Sequence, residues 1–322
     1  MTQPVLVAPD SFKGTYSAPE VAGAIAAGLR SAGRDARELP VADGGEGTMD
    51  ALVRALGGEL RTVTAPDPLG RPIEARYALL PDGTAVVETA QASGLGLVGE
   101  DERDAWDAST RGTGELIVAA ALAGAERVLV TVGGSATTDG GAGALEAIAE
   151  AGVRPQLEVL CDVRTPFELA PSVFGPQKGA DPATVERLEE RLGELARSFE
   201  RDPRGEPMTG AAGGLSGGLY GALGAHLVPG AAYVLDTIGF DAAMRESAFV
   251  VTGEGRLDSQ TLQGKIVGEL ATRCRQGGVT CHAIVGDSAL EPFQERIVDL
   301  ASVTVATDLD ELEAAGRALV EG

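Results

Sequence analysis

Short apolar runs alternate with helix-length stretches along most of the chain. Several runs are apolar at consecutive positions, as expected for parallel strands that helices cover on both faces. A turn rich in Gly or Asp follows each run, and this order predicts a doubly wound α/β sheet. The predicted strands are residues 5–8, 127–132, 159–163, 249–252, 283–285 and 303–306, and the predicted helices are residues 18–32, 112–123 and 261–276.

Two regions depart from this alternation. Residues 60–88 have the pattern of antiparallel strands, and Pro81-Asp82-Gly83 predicts the turn of a hairpin. Residues 182–200 interleave Glu and Arg at helical spacing, and a run of small residues follows at 210–224. These regions predict a second domain with a mixed sheet.

The chain is therefore predicted to form two α/β domains, each discontinuous in sequence. A length of 322 residues suits two domains of ordinary size. The parallel-sheet domain is expected to contain residues 1–58, 124–168 and 245–322. The mixed-sheet domain, inserted in the first, is expected to contain residues 59–123 and 169–244. A cleft between two such domains is the expected place for a ligand.

Composition and charge narrow the class of protein. Hydrophobic residues make up 44% and charged residues 23%, as in ordinary globular proteins. The net charge of −22 disfavours nucleic-acid binding. The three cysteines and two histidines lack zinc-ligand spacing. No apolar run approaches the roughly 18 residues of a membrane span and no leader is visible, so we expect a cytoplasmic protein.

The first motif, APDSFKG, follows the first predicted strand. Polar side chains just past the carboxyl end of a parallel strand are where such sheets keep their sites. Asp10 could accept a proton or hold Mg²⁺, Ser11 could bind substrate, and Lys13 could neutralise a phosphate or carboxylate. A surface turn with a helix cap at Ser17 is the alternative interpretation.

The second motif, ADGGEGT, places two acids among glycines. Gly44 and Gly45 let backbone N–H groups approach an anion closely. Asp43 and Glu46 would repel each other in so tight a loop unless a cation or protons lay between them. The alternative is a plain connection from strand to helix.

The third motif, VGGSATTDGGAG, joins a predicted strand to a helix. Free amides, hydroxyl groups and a helix N-terminus are the parts of a phosphate-binding loop, although the Gly-Lys-Ser/Thr ending of a P-loop is absent. Close packing of helix on sheet would explain some of its glycines. The candidate binding residues are Gly133, Gly134, Ser135, Thr137, Asp139 and Gly140.

The fourth motif, TGEGRLDSQTLQGK, again follows a strand. Acids beside Arg256 and Lys265 predict a clamp for Mg²⁺ and phosphate, with Glu254 and Asp258 as the metal ligands. A salt-bridged loop is the alternative. Two weaker candidates are FGPQKGA, which offers Gln177 and Lys178, and GAAGGLSGG, which offers Gly213 and Gly214 as an anion site or a tight helix contact.

Eight motifs occur in a fixed order: APDSFKG, ADGGEGT, GTGEL, GGSATTDGGAG, CDV, VFGPQKGA, GAAGGL and TGEGRLDSQTLQGK. Through these motifs and their order, the sequence strongly resembles the bacterial type I glycerate kinase family. The resemblance implies phosphorylation of D-glycerate by ATP with Mg²⁺, favouring 2-phosphoglycerate over 3-phosphoglycerate. It also implies a Rossmann-like parallel-sheet domain and no nucleic-acid or membrane partner. The resemblance is compatible with a homodimer.

The resemblance suggests roles for the candidate residues. Asp10 or Asp43 would take the proton from the glycerate hydroxyl or hold the metal. Lys13 and Arg256 would neutralise phosphate or the glycerate carboxylate. Residues 133–141 would bind phosphates, and the acids that supply metal contacts would be Asp139, Glu254 and Asp258.

Three departures from the family pattern keep other functions open. The segment at residues 143–159 is shorter than the corresponding segment of family members, and the C-terminal end is also shorter. Arg164-Thr165-Pro166 stands where family members usually have Asp-Asn-Pro. A kinase of another small hydroxy acid and a non-catalytic anion-binding derivative are the two alternatives. A nicotinamide dehydrogenase is disfavoured, since no dinucleotide-binding fingerprint follows the first strand.

Overall fold

The computed structural model describes residues 3–258, 265–290 and 299–321. Its strands are β1 (Val5–Pro9), β2 (Ala36–Glu38), β3 (Glu59–Pro66), β4 (Pro72–Leu79), β5 (Ala85–Glu88), β6 (Arg127–Thr131), β7 (Gln156–Cys161), β8 (His226–Pro229), β9 (Val250–Gly253), β10 (Cys281–Val285) and β11 (Ser302–Val305). Its helices are α1 (Ala18–Ser31), α2 (Thr48–Leu56), α3 (Ala90–Ser93), α4 (Arg111–Leu122), α5 (Ala142–Ala151), α6 (Ala170–Phe174), α7 (Pro182–Ser198), α8 (Leu215–Leu223), α9 (Gly230–Thr237), α10 (Phe240–Arg245), α11 (Ile266–Gly277) and α12 (Leu309–Glu321).

The chain divides into two compact units. The first unit contains the residues up to Asp43 and those from Ala231 onward, and the second contains Gly44–Gly230. Each unit is built on one sheet, so the predicted fold class of two α/β sheets is confirmed. Among the described residues, no helix is long and apolar enough to cross a membrane.

The first unit is a five-stranded parallel sheet in the order β11-β10-β9-β1-β2. Alternate residues of β1 enter two different cores, with Leu6 on one face and Val7 on the other. Helices α1 and α12 cover the Val7 face, while α10 and α11 cover the Leu6 face. Burial on both faces explains why these strands are apolar at consecutive positions.

The second unit is a six-stranded mixed sheet in the order β3-β4-β5-β6-β7-β8. The pairs β3/β4 and β4/β5 are antiparallel, and the remaining pairs are parallel. The antiparallel strands predicted in residues 60–88 are confirmed, as is the turn at Pro81-Asp82-Gly83. Leu116 of α4, Ile148 of α5 and Leu219 of α8 pack in the same core against this sheet.

The division into units differs from the predicted one in residues 124–168. Strands β6 and β7 pair with β5 in the mixed sheet, whereas the sequence placed them in the parallel-sheet domain. Residues 44–58 likewise belong to the second unit and residues 231–244 to the first. The reason is that β6 and β7 are parallel and largely buried, so their pattern does not show which sheet they join.

Candidate active site

The carboxyl ends of β1, β9 and β10 lie side by side in the first unit. Asp10 follows β1, Glu254 follows β9, and Asp287 lies two residues beyond β10. Glycine permits this close approach, because a Cβ on Gly253 would overlap the carbonyl oxygen of Ile284, and one on Gly286 would lie 2.6 Å from the carbonyl oxygen of Gly255. The motifs APDSFKG and TGEGRLD therefore meet at one sheet edge.

The segment after β1 forms a tight turn before α1. The N–H of Asp10 donates to the carbonyl oxygen of Gly253 at 2.8 Å, which continues the pairing of β1 with β9. Gly14 has a φ of +81° at the tip of the turn. The N–H and hydroxyl of Ser17 both donate to Glu20, so the helix cap that the sequence offered as an alternative is also present. The cap and the site occupy consecutive parts of one loop.

A cavity of about 390 Å³ opens at this edge. Five acids line it, and only three bases do. The acids are Asp10, Asp43, Glu254, Asp258 and Asp287, and the bases are Lys13, Arg256 and Lys265. All four predicted catalytic residues and both predicted metal ligands are therefore in one cavity.

Asp10 is the most buried acid of this cavity, with 3% of its surface exposed. Its Oδ1 accepts the N–H of Ser11 at 2.6 Å. Burial and, less strongly, the negative charge of Asp43 together raise the pKa of Asp10 to about 8, against the opposing charge of Lys13. A carboxyl group with such a pKa exchanges its proton near neutral pH.

Lys13 and Asp43 form an ion pair in the same cavity. The distance from Lys13 Nζ to Asp43 Oδ2 is 3.3 Å. The charge of Asp43 raises the pKa of Lys13, so this lysine stays cationic at any working pH. Arg256 lies 3.5 Å from Asp287 through Nε and Oδ2, and more than half of each of these side chains is exposed. Both cations are available to an anionic ligand.

The donor set of the cavity fits a magnesium ion. In the described part of the chain, no three His, Cys, Asp or Glu side chains converge to hold a metal by themselves. Mg²⁺ in phosphoryl-transfer sites uses one or two carboxylates and takes its other ligands from phosphates and water. The charges of Asp43 and Glu254 both raise the pKa of Asp10, which shows an excess of negative charge that a divalent cation would offset.

A second group of candidates lies at the carboxyl end of β6 in the second unit. The segment after β6 packs backbone to backbone against the ADGGEGT loop, since a Cβ on Gly133 would lie 2.9 Å from the Cα of Gly45. In the described residues, the N–H groups of Gly133, Gly134 and Ser135 donate to no protein acceptor. Gly134 is exposed, and its φ of +62° favours glycine. These amides are free to bind an anion.

The ADGGEGT loop is split between the two units, with Asp43 in the first and Gly44 in the second. Gly44 has a φ of +93° and is buried, whereas Glu46 is exposed beside Gly134. Gly45 and Glu46 therefore lie against Gly133 and Gly134, beside the free amides.

The other predicted binding residues of the VGGSATTDGGAG loop lie in a different environment. Thr137, Asp139 and Gly140 are all buried, with Asp139 only 1% exposed. Asp139 Oδ2 accepts the N–H and hydroxyl of Thr110, each at 2.8 Å, and the N–H of Gly143 at 3.1 Å. Oδ1 accepts the N–H of Gly141 at 3.0 Å. Through these four hydrogen bonds, Asp139 fastens the loop to α4 and α5.

Gly213 and Gly214 also serve packing. A Cβ on Gly213 would overlap the carbonyl oxygen of Thr137, and one on Gly214 would lie 2.8 Å from the Phe167 ring. The N–H of Gly140 donates to the carbonyl oxygen of Gly213 at 3.1 Å. These glycines press against the buried half of the loop, so the alternative of a tight contact is the one the structure supports.

Gln177 and Lys178 lie in a short 3₁₀ turn, Pro176–Lys178, with opposite environments. Gln177 is exposed, and its carbonyl oxygen accepts Arg103 Nη1 at 3.4 Å. Lys178 is 2% exposed, and its Nζ donates to Ser135 Oγ at 2.9 Å and to the carbonyl oxygen of Thr137 at 2.5 Å. Burial lowers the pKa of Lys178 to about 7.

Glu88 is a candidate that the sequence analysis missed. It ends β5 beside Thr131 at the end of β6, and it is 3% exposed. Its Oε1 accepts the N–H of Met49 at 2.8 Å, at the start of α2. Burial raises the pKa of Glu88 to about 7. The available signal was an acid that closes the apolar strand sequence AVVE.

Part of the fourth motif lies outside the described residues, namely positions 259–264. The helix predicted over residues 261–276 is described as α11, which begins at Ile266. Lys265 precedes α11 and lines the cavity of the first unit.

These features define a class of protein. Carboxylates and cations at the edge of a parallel sheet, together with free amides in a glycine-rich loop, are the parts of a phosphotransferase. The sequence profile of the glycerate kinase family matches the chain in two overlapping segments, residues 5–154 and 149–319. The chain therefore belongs to the glycerate kinase family and is an enzyme, a kinase with an alcohol group as acceptor.

Three relatives illustrate the extent of the similarity. The glycerate kinase of Halalkalibacterium halodurans is 39% identical over 364 aligned positions, covering 98% of this chain and 95% of its own. The glycerate 2-kinase of Escherichia coli is 37% identical, covering 81% of this chain and 79% of its own. A crystal structure of a protein assigned as glycerate kinase 2 from Salmonella typhimurium LT2 has a TM-score of 0.80 at 34% identity, covering 100% of this chain and 98% of its own.

The alignment with the Halalkalibacterium protein is longer than this chain of 322 residues. The relative thus carries segments that this chain lacks. The two segments of the family match meet at residues 149–154, inside the stretch between Gly143 and Val159 that the sequence analysis identified as shortened.

Substitution of Asp139 tests its structural role. Asp139→Asn places an NH₂ group among four donors, so we expect the free energy of unfolding to fall by about 2–4 kcal/mol. Asp181→Asn is the matched control, because Asp181 caps α7 through the N–H of Thr184 and Asn caps equally well. Urea unfolding of both variants measures the difference. Equal stability of the two variants would contradict this role.

Proposed function

We propose that the protein transfers the γ-phosphoryl group of ATP to D-glycerate and forms 2-phosphoglycerate. Family membership supports glycerate as the acceptor, and the name of the Escherichia coli relative, glycerate 2-kinase, supports the 2-position. The eight ordered motifs further support a place in the type I branch of the family.

The environment of Asp10 carries this proposal. Phosphoryl transfer to an alcohol requires the hydroxyl proton to leave as its oxygen attacks phosphorus, while ADP departs. Asp10 is buried, lies in a cavity that also holds three cationic side chains, and has a pKa raised to about 8. A base of this strength suits the reaction better than an ordinary exposed carboxylate. Asp43, which pairs with Lys13, is therefore the weaker candidate for the base.

The cations of the cavity match the charges of the reactants. Lys13 and Arg256 are exposed enough to pair with the carboxylate of glycerate or with phosphate oxygens. Lys265 lines the same cavity and adds a third positive charge. Each such pair would hold a reactant in place and neutralise charge that develops during transfer.

The free amides of Gly133, Gly134 and Ser135 give the second unit its own part in the reaction. Backbone N–H groups in such a loop bind phosphate oxygens without adding charge. We assign them to phosphates of the nucleotide. Gly45 supports the loop by close backbone packing against Gly133, Gly44 packs instead against Gly230, and Glu46 borders the loop.

Magnesium is the cofactor that the donor set fits. Asp43, Glu254 and Asp258 are the residues that would hold it, in company with phosphate oxygens and water. When bound, Mg²⁺ offsets phosphate charge. The remaining chemistry falls to the residues of this chain, which bind, orient and exchange the proton.

Phosphorylation of another small hydroxy acid is the second candidate. It is favoured by one observation, the absence from this chain of segments that the Halalkalibacterium relative carries. Loops of this kind commonly determine substrate choice.

The proposed function is tested by ADP release from purified protein with ATP and Mg²⁺, with and without D-glycerate. We expect glycerate-dependent ADP at roughly 1–100 per second. Phosphorus NMR of the product against both phosphoglycerate standards gives the position. No stimulation by D-glycerate, with stimulation by another hydroxy acid, would replace the proposed substrate, and 3-phosphoglycerate would overturn the proposed position.

The role of Asp10 predicts a pH dependence. Only the deprotonated carboxylate accepts a proton, so kcat/KM should rise with pH up to about 8 and then level off. Asp10→Asn should lower kcat by at least about 100-fold and remove this rise. Asp236→Asn is the control, because Asp236 is a largely exposed acid of the same unit. A flat wild-type profile, or an active Asp10→Asn enzyme, would refute the assignment.

A further inference from the structure

Lys178 is a buried cation to which the proposed reaction gives no direct contact. Its side chain is 2% exposed, so a ligand in solvent does not reach it. Its two hydrogen bonds go to Ser135 Oγ and to the carbonyl oxygen of Thr137, both in the segment that follows β6. The three free amides of the loop end at Ser135. The lysine therefore fastens the loop immediately after its free donors.

The other contacts of this segment leave the same three amides free. The N–H of Ala136 donates to the carbonyl oxygen of Ser93 at 2.9 Å, and the carbonyl oxygen of Gly134 accepts the N–H of Leu95 at 2.6 Å. These bonds and the two from Lys178 together hold the segment. Without the ammonium, the carbonyl oxygen of Thr137 and the hydroxyl of Ser135 would lose this donor within a buried environment, at a cost that favours rearrangement of the loop.

The residue type at position 178 is also unusual for this chain. Only three of its 26 basic residues are lysines, namely Lys13, Lys178 and Lys265. The other two line the cavity of the first unit. A guanidinium at position 178 would bring five donors to a buried site where the structure shows two acceptors, whereas an ammonium has three donors. A compact, buried cation is what this position requires.

We propose that Lys178 is a positioning residue, whose buried ammonium fixes residues 133–137 in the conformation that leaves three amides free for phosphate oxygens. This inference rests on the proposed nucleotide-binding role of the loop. Lys178 acts through Ser135 and Thr137 and adds a positive charge beneath the loop, which favours an anion above it.

The charge of Lys178 is sensitive to pH near neutrality. Burial lowers its pKa to about 7, and the negative charge of Asp139 acts in the opposite direction. The other charged groups on the packed elements are Arg103, which donates to the carbonyl oxygen of Gln177, and Asp181, the N-cap of α7. As pH rises through about 7, the ammonium loses its proton and the loop loses a charge, so nucleotide affinity should fall.

Lys178→Met tests this role in the full-length enzyme, because methionine has similar length but neither charge nor donors. We expect the KM for MgATP to rise at least about tenfold with a smaller change in kcat. Wild-type KM should increase between pH 6 and pH 8.5, and this increase should be absent from Lys178→Met. Asp10 titrates in both proteins, so the difference between the two profiles reports Lys178.

Two further variants complete the design. Arg191→Met removes one positive charge from the same unit, where Arg191 donates to the carbonyl oxygen of Trp106, and should leave KM unchanged. Lys178→Gln keeps donors without charge; it replaces Lys178→Met if that variant does not fold, and its KM should also lose the pH dependence. A folded variant with wild-type KM and wild-type pH dependence would overturn the proposal. Absence of ADP release from the wild-type enzyme would instead overturn the proposed function.

Discussion

The cost of burying charge governs both candidate regions. In the first unit, Asp10 is enclosed at the end of β1 beside two other acids, and this environment raises its pKa to about 8. A carboxyl group in water would remain ionised and weakly basic. The parallel sheet produces this environment, since β9 pairs with β1 on one side and with β10 on the other and so brings three acid-bearing loops to one edge. The glycines at that edge permit the approach.

In the second unit, buried charges are matched by hydrogen bonds. Asp139 accepts four donors and Lys178 donates to two acceptors, so each charge stabilises one part of a single loop. The loop thereby has a buried part that these bonds hold, next to the three amides that have no protein acceptor. A preorganised set of donors binds an anion without a free-energy cost of rearranging the donors, which is the general advantage of such sites in phosphoryl transfer.

Much of the fold follows from patterns that a single strand or helix carries. Helices α1 and α4 and the hairpin strands were predicted closely, because turn residues and apolar periodicity mark their limits. The neighbour with which a strand pairs could not be predicted in the same way. The sequence pattern assigned β6 and β7 to the parallel-sheet domain, but they belong to the same sheet as β5. The pairing of strands depends on tertiary packing, which the local sequence pattern does not determine.

The candidate site shows the same limit. Motif composition identified the charged residues of the cavity in the first unit except Asp287, because these acids and cations follow strand ends. It did not separate Gly133, which is accessible, from Asp139, which is buried a few residues later in the same motif. Glu88 was not predicted as a site residue, because a single acid at a strand end has no distinctive neighbours in sequence. Burial and hydrogen-bond saturation arise from tertiary packing, and only the folded chain reveals them.

The central claim is that the fold gives Asp10 a pKa near neutrality. Carbon-13 NMR of the side-chain carboxyl groups measures this directly, in metal-free protein without nucleotide, with Asp10→Asn used to assign the signal. The account predicts one carboxyl signal that titrates near pH 8 and disappears in the variant. An Asp10 signal that titrates below about pH 5, as an ordinary carboxyl group does, would contradict it.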